Sequence, residues 1–311
     1  MLRKKIIERK PGILLYGLTP PKQEYTSEKT AEIAQKQIER INSLDIDGLI
    51  LYDIQDETSR TDKTRPFPFL PTIDPQHYKE QFLSTCKIPA IIYKCVGKYS
   101  AEEFITWLHD NEGQQDFAVF VGSASKKQKV NLSITQAYDL KKIHNQPILV
   151  GGVTIPERHL KKSDEHIRIF EKMEYGCQFF VSQAVYNIDA SKDLLSDIYY
   201  HSIEKQLQPV PLIFTLTPCG SIKTLQFMEW LGISIPKWLQ NDLEHSKDVL
   251  SKSMEICYKI AEELIEFSSE KNIPIGFNIE SVAIRKAEID ASIELLKMVK
   301  QLLRRRYPEE G

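Results

Sequence analysis

The chain has 311 residues, 41% of them apolar, with 41 Lys+Arg against 43 Asp+Glu and a formal net charge of -2. That balance gives no field for nucleic acid or an anionic membrane, and the length suits one globular enzyme-sized domain rather than a small disulfide scaffold. Five scattered cysteines without a CxxC pair fit free thiols in a reducing cytoplasm; residues 1–7 lack the apolar core of a secretion signal, and no later run approaches a membrane span.

Eight short apolar runs follow one another at residues 13–16, 48–52, 90–93, 117–121, 147–150, 179–181, 212–214 and 275–279. Each is continuous rather than alternating, as strands covered on both faces are, and each closes on polar or glycine-rich residues. Amphipathic stretches lie between them at 27–44, 101–109, 133–143, 164–175 and 191–201, the first opened by Ser27 and carrying Ile33, Ile38 and Ile41 near helical spacing. This alternation predicts an α/β chain folded as a single (β/α)8 TIM barrel over residues 1–311. A further helix is predicted at 245–269, between strands seven and eight, on the barrel side or at the subunit contact of a homo-oligomer. The connection at 54–75, with five charged residues within 56–63 and a proline-rich run at 65–71, reads as an active-site lid or wall.

In such a barrel functional groups gather just beyond the C-terminal strand ends. Here those ends read Gly17-Leu18-Thr19-Pro20-Pro21-Lys22, Tyr52-Asp53, Tyr93-Lys94, Gly122-Ser123, Gly151-Gly152, Ser182-Gln183, Thr215-Leu216-Thr217-Pro218 and Asn278-Ile279-Glu280. A loop cap explains any one of them, but so many polar ends at one mouth exceed what folding requires. Gly151 and Gly152 predict either a tight turn or backbone N–H groups open to an anion or a flat ring. Gln183 offers a donor and an acceptor to a heterocycle edge, or a bridge across the rim. Asp53, Glu57, Glu157 and Glu280 are candidate acids, since a buried carboxyl can hold its proton near neutral pH. His159 and His166 lie seven apart with no carboxylate at matching spacing, so no metal site is predicted.

Together these motifs resemble the methylenetetrahydrofolate reductase family across nearly the whole chain. The similarity is clearest over residues 173–183, which are similar to that family's helix, tight turn and strand ending in Thr-Gln. It continues through Val210-Pro211-Leu212-Ile213-Phe214-Thr215-Leu216-Thr217-Pro218 and Ile235-Pro236-Lys237-Trp238, while Thr19-Pro20-Pro21-Lys22 resembles the family's F-P-P-K turn and Thr58-Ser59-Arg60 its S/T-x-R-D loop. The resemblance implies FAD at the strand ends and hydride passed from NAD(P)H through the flavin to 5,10-methylenetetrahydrofolate. Carried over to this chain, it assigns Gln183 and Thr215 to the folate and Lys172 to the flavin phosphates. Gly151, Gly152, Ser123 and Arg60 complete the expected cofactor set.

Three departures mark a divergent member. Gly17 stands where the family has its catalytic glutamate, Val121-Gly122-Ser123 where it has R-G-D, and residues 154–159 differ from its Y-P-E-x-H-P turn. Strand eight borders strand one in a closed barrel, so Glu280 is expected to reach the space at Gly17 and replace the lost acid, with Asp53 the second candidate. Glu280 could instead form a rim salt bridge with Arg285 or Lys286. Three readings stay open: a flavin-dependent reductase of a folate iminium, a flavin-independent folate-dependent one-carbon or methyl transferase, and a non-catalytic folate-binding barrel.

Overall fold

A computed structural model of the protein describes residues 1–58, 62–110, 117–123, 130–144 and 146–308. Eight parallel strands close a barrel in chain order: β1 (Ile13–Leu18), β2 (Gly48–Leu51), β3 (Ala90–Cys95), β4 (Phe117–Val121), β5 (Leu149–Thr154), β6 (Phe179–Ala184), β7 (Leu212–Leu216) and β8 (Ile275–Glu280). Closure runs from Ile13 opposite Gly276 to Gly17 opposite Glu280. The one irregular ladder joins β6 to β7, where the register shifts between Val181 and Ala184 and Thr215 donates its N–H to the Ser182 hydroxyl at 2.9 Å.

Period two sorts each strand into an inner and an outer face. Ile13, Leu15, Ile50, Ile91, Phe117, Val119, Leu149, Phe179, Val181 and Ile213 pack in one buried cluster, the barrel interior. Leu2 and Ile6 of α1 (Leu2–Ile7) belong to the same cluster and close the N-terminal end. The Lys5–Asp47 ion pair at 2.8 Å holds this helix, and Asp47 also accepts the Leu14 N–H at 2.9 Å. At six residues α1 is too short to show a helical period in the sequence.

The outer layer comprises α2 (Ser27–Asn42), α3 (Pro75–Phe82), α4 (Ala101–Asp110), α5 (Ile134–Ile143), α6 (Pro156–Lys162), α7 (Glu165–Glu174), α8 (Ile188–Lys205), α9 (Ile222–Trp230), α10 (Lys237–Glu244), α11 (Val249–Glu270) and α12 (Lys286–Arg306). Side-chain caps start several of them: Asp74 accepts from two N–H groups of α3, Ser133 and Gln136 form a capping box on α5, and Asp248 caps α11. The helix predicted at 245–269 is α11, packed against α8, α12 and β8 on the barrel side. Two shorter helices, α9 and α10, precede it.

Strand five differs from its predicted limits. It begins at Leu149 and runs through both glycines to Thr154, because the Phe179 and Phe180 rings of β6 lie across Gly151 and Gly152 and complete the strand's surface. All five cysteines are free and four are buried. Among the described residues no helix is long and apolar enough to cross a membrane.

Candidate functional site

Inward parity carries a polar layer above the apolar interior. Tyr52 follows Ile50, Tyr93 follows Ile91, Gln183 follows Val181, and Asn278 and Glu280 continue from Gly276. A Cβ at Gly17 would come within 2.9 Å of the Tyr52 ring and 3.0 Å of Asn278 Oδ1. The space beside Gly17, where the resemblance sets the family's glutamate, is therefore held by Tyr52 and Asn278.

Asn278 is fully buried and donates from Nδ2 to the Tyr52 hydroxyl at 2.8 Å and to Thr215 Oγ1 at 3.2 Å. The Thr215 hydroxyl donates in turn to Ser182 O at 2.8 Å. Thr215 is 2% exposed with its hydroxyl engaged on both sides, so it orients Asn278 instead of facing a ligand. Glu280 keeps some exposure as a residue, while its carboxyl is desolvated beside Tyr52, Tyr93 and Asn278. Burial pushes this carboxyl above the ordinary glutamate range, and donation from Tyr52 and Asn278 opposes part of that rise. Its partners are these two side chains; no salt bridge to Arg285 or Lys286 occurs among the described residues.

Two amide oxygens at this end of the barrel are buried without a hydrogen-bond partner among the described residues: Asn278 Oδ1 and Gln183 Oε1. Gln183 Nε2 donates to Leu231 O at 2.9 Å, which fixes the side chain with its oxygen left over. Unpaired buried acceptors are costly, and neither of these is satisfied by the chain itself. Beside Leu231, Trp230 Nε1 donates to Lys63 O at 2.9 Å and Arg65 lies over the rings of Phe69, Phe227 and Trp230.

Other expected site residues lie elsewhere. Asp53 accepts from Cys95 N at 2.8 Å and forms an ion pair with Lys98, fastening β2 to the end of β3. Lys94 turns outward, buried between the rings of Tyr99 and Trp107 with Nζ 4.0 and 4.9 Å from their centroids. Gly151 and Gly152 are buried within β5, and a Cβ on either would come within 2.5 Å of Phe179 or 2.7 Å of Phe180. Neither offers open backbone, which corrects the expectation that they face an anion or a flat ring. Lys172 runs beneath α7 along the outside of β5, its Nζ donating to Val153 O at 2.8 Å, and burial lowers its pKa. Ser123 is exposed at the end of β4 and carries no charge. Arg60 lies outside the described residues. These residues do not fit FAD: the glycines are covered by the chain's own rings and the lysine is tied to β5.

Tyr52, Tyr93 and Asn278, which the sequence marks only as strand ends, surround Glu280. The signal available was parity, since counting by twos from Ile50, Ile91 and Gly276 puts all three on the inner face, and an asparagine inside an apolar strand demands a partner.

The sequence profile of the methylenetetrahydrofolate reductase family, described as methylenetetrahydrofolate reductase, matches residues 125–278. No curated protein sequence matches the chain. Among solved structures, an uncharacterized protein from Clostridium thermocellum that binds two copies of 5-methyl-5,6,7,8-tetrahydrofolic acid is similar at 53% identity and a TM-score of 0.88. The match covers 97% of this chain and 100% of that one. A GH113 β-1,4-mannanase shares the barrel alone, at 14% identity and a TM-score of 0.50 over 93% of this chain and 98% of its own.

Proposed function

Starting from the premise that this chain belongs to the methylenetetrahydrofolate reductase family, we propose that it binds a reduced folate, 5-methyltetrahydrofolate, at the barrel mouth and handles its one-carbon group without a flavin. The pair of unpartnered amide oxygens, Gln183 Oε1 and Asn278 Oδ1, carries this reading. A pterin ring presents a 2-amino group and ring N–H groups along its edge, and those donors match buried acceptors that water does not satisfy. The similar Clostridium thermocellum protein, alike over the full chain, binds this same folate.

Glu280 is the proposed acid. Transfer of a methyl group from N5 to a nucleophilic second substrate leaves an electron pair on N5, and a carboxyl raised by burial can supply the neutralising proton. Asp53, already paired with Lys98, is a poorer donor. The family name supports a second reading, flavin-dependent reduction with NAD(P)H; the covered glycines and the engaged Lys172 weigh against it.

The test is a titration of the purified protein with 5-methyltetrahydrofolate, followed by visible spectroscopy after incubation with FAD. The reading expects saturable folate binding and no bound flavin spectrum. A stably bound flavin reduced by NAD(P)H would replace it with the reductase, and absence of folate binding would refute both.

A further inference from the structure

Away from the mouth, the outer layer over β5 and β6 gathers side chains that folate binding does not use. His159 of α6, His166 of α7 and Asp197 of α8 each offer one ligand atom, all within 4.8 Å of one another. His159 Nε2 is 3.0 Å and His166 Nδ1 3.9 Å from Asp197 Oδ2. His201 stands one helical turn beyond Asp197, its ring 5.6 Å from that of His166, so α8 presents both residues on one face. The expectation of no metal site rested on sequence spacing alone, and the missing carboxylate arrives from the next helix.

We infer that His159, His166 and Asp197 form a site for a divalent transition metal, zinc by ligand chemistry, with His201 in place to add a fourth ligand. A histidine–aspartate hydrogen bond accounts for His159 Nε2 but not for the rest. A second imidazole is brought to the same carboxylate, and the Nδ1 atoms of both His159 and His166 are buried with no hydrogen-bond partner among the described residues. Two imidazoles and one carboxylate suit zinc and its neighbours; magnesium and calcium prefer oxygen throughout. Bonds of about 2.0–2.2 Å to a tetrahedral ion would draw the ligand atoms together to roughly 3.3 Å, a change within reach of side-chain rotation. The Asp197 side chain is 46% exposed and leaves a path for entry. An ion there would fasten α6, α7 and α8 to one another, and it involves no residue assigned to the folate.

The experiment is a cobalt(II) titration of the chelator-treated full chain, read by visible absorption and followed by zinc competition and thermal unfolding. The expected result is one cobalt per chain with the intense bands of a four-coordinate ion, displaced by zinc, and a Tm raised by roughly 5 °C at a hundredfold excess of zinc over Kd. Asp197→Asn and His166→Ala should each weaken binding at least tenfold, the first at a half-exposed position where the fold tolerates the change. Failure of the wild-type chain to take up cobalt saturably would overturn the site, as would unchanged affinity in Asp197→Asn. If His166→Ala does not fold, those two measurements decide.

Discussion

At the scale of single residues, two buried carboxyls set the expected pH behaviour. Glu157, at the start of α6, is 6% exposed with neither oxygen partnered among the described residues, and burial pushes its pKa from 4.5 up to about 7. The folded chain thus binds this proton more tightly than the unfolded one, so stability is full below about pH 4.5 and falls as pH rises through about 7. Glu157→Gln should abolish that slope and stabilise the protein at pH 8 by on the order of 3 kcal/mol, read from urea unfolding at pH 5 and pH 8. An unchanged slope would show that Glu157 is not the group responsible. For Glu280, the proposed acid, Glu280→Gln keeps the shape and the neutral form and should cut folate-dependent turnover by roughly 10²–10⁴-fold with little change in folate affinity. Turnover near that of the wild type would transfer the role to another group. The pairing of Glu280 with Gly17 was legible from strand adjacency, but the partners of Glu280 were not: nothing in sequence spacing says that Tyr52, just beyond β2, fills the volume beside Gly17.

At the scale of elements, polar strand ends proved to be two populations. Some keep an unpartnered buried acceptor, as Gln183 and Asn278 do, and others are consumed by the fold. Glu288 of α12 accepts from Gly220 N and Thr224 Oγ1 at 2.8 Å each, and Tyr186 donates to Thr217 O at 2.6 Å, so the rim after β7 is internal structure. A sequence lists both populations alike, because the difference lies in what a neighbouring helix supplies. The strand pair β5–β6 makes the same point for glycine, which the Phe179 ring requires at position 151. Gly151→Ala must move a packed ring in the barrel interior and is expected to cost about 1–3 kcal/mol of stability without affecting flavin uptake. A neutral effect on Tm would mean that the ring yields freely and that the glycine is kept for another reason.

At the scale of the whole molecule, the continuous apolar runs made the closed barrel readable, since period and order alone specify eight covered strands joined by helices. Resemblance then identified the family, and the positions it singles out are engaged locally: Gly17 lies under Tyr52, Gly152 under Phe180, and Lys172 donates to Val153. The proposed folate site thus lies in a barrel whose Gly151, Gly152 and Lys172 are engaged by the chain's own residues. Calorimetric titration of 5-methyltetrahydrofolate into the wild-type chain and into Gln183→Ala tests this most directly. The account predicts saturable binding by the wild type and an affinity weakened by about 1–3 kcal/mol in the variant, where the donors of the pterin edge lose their acceptor. Equal affinity in the two proteins, or no binding by the wild type, would contradict it.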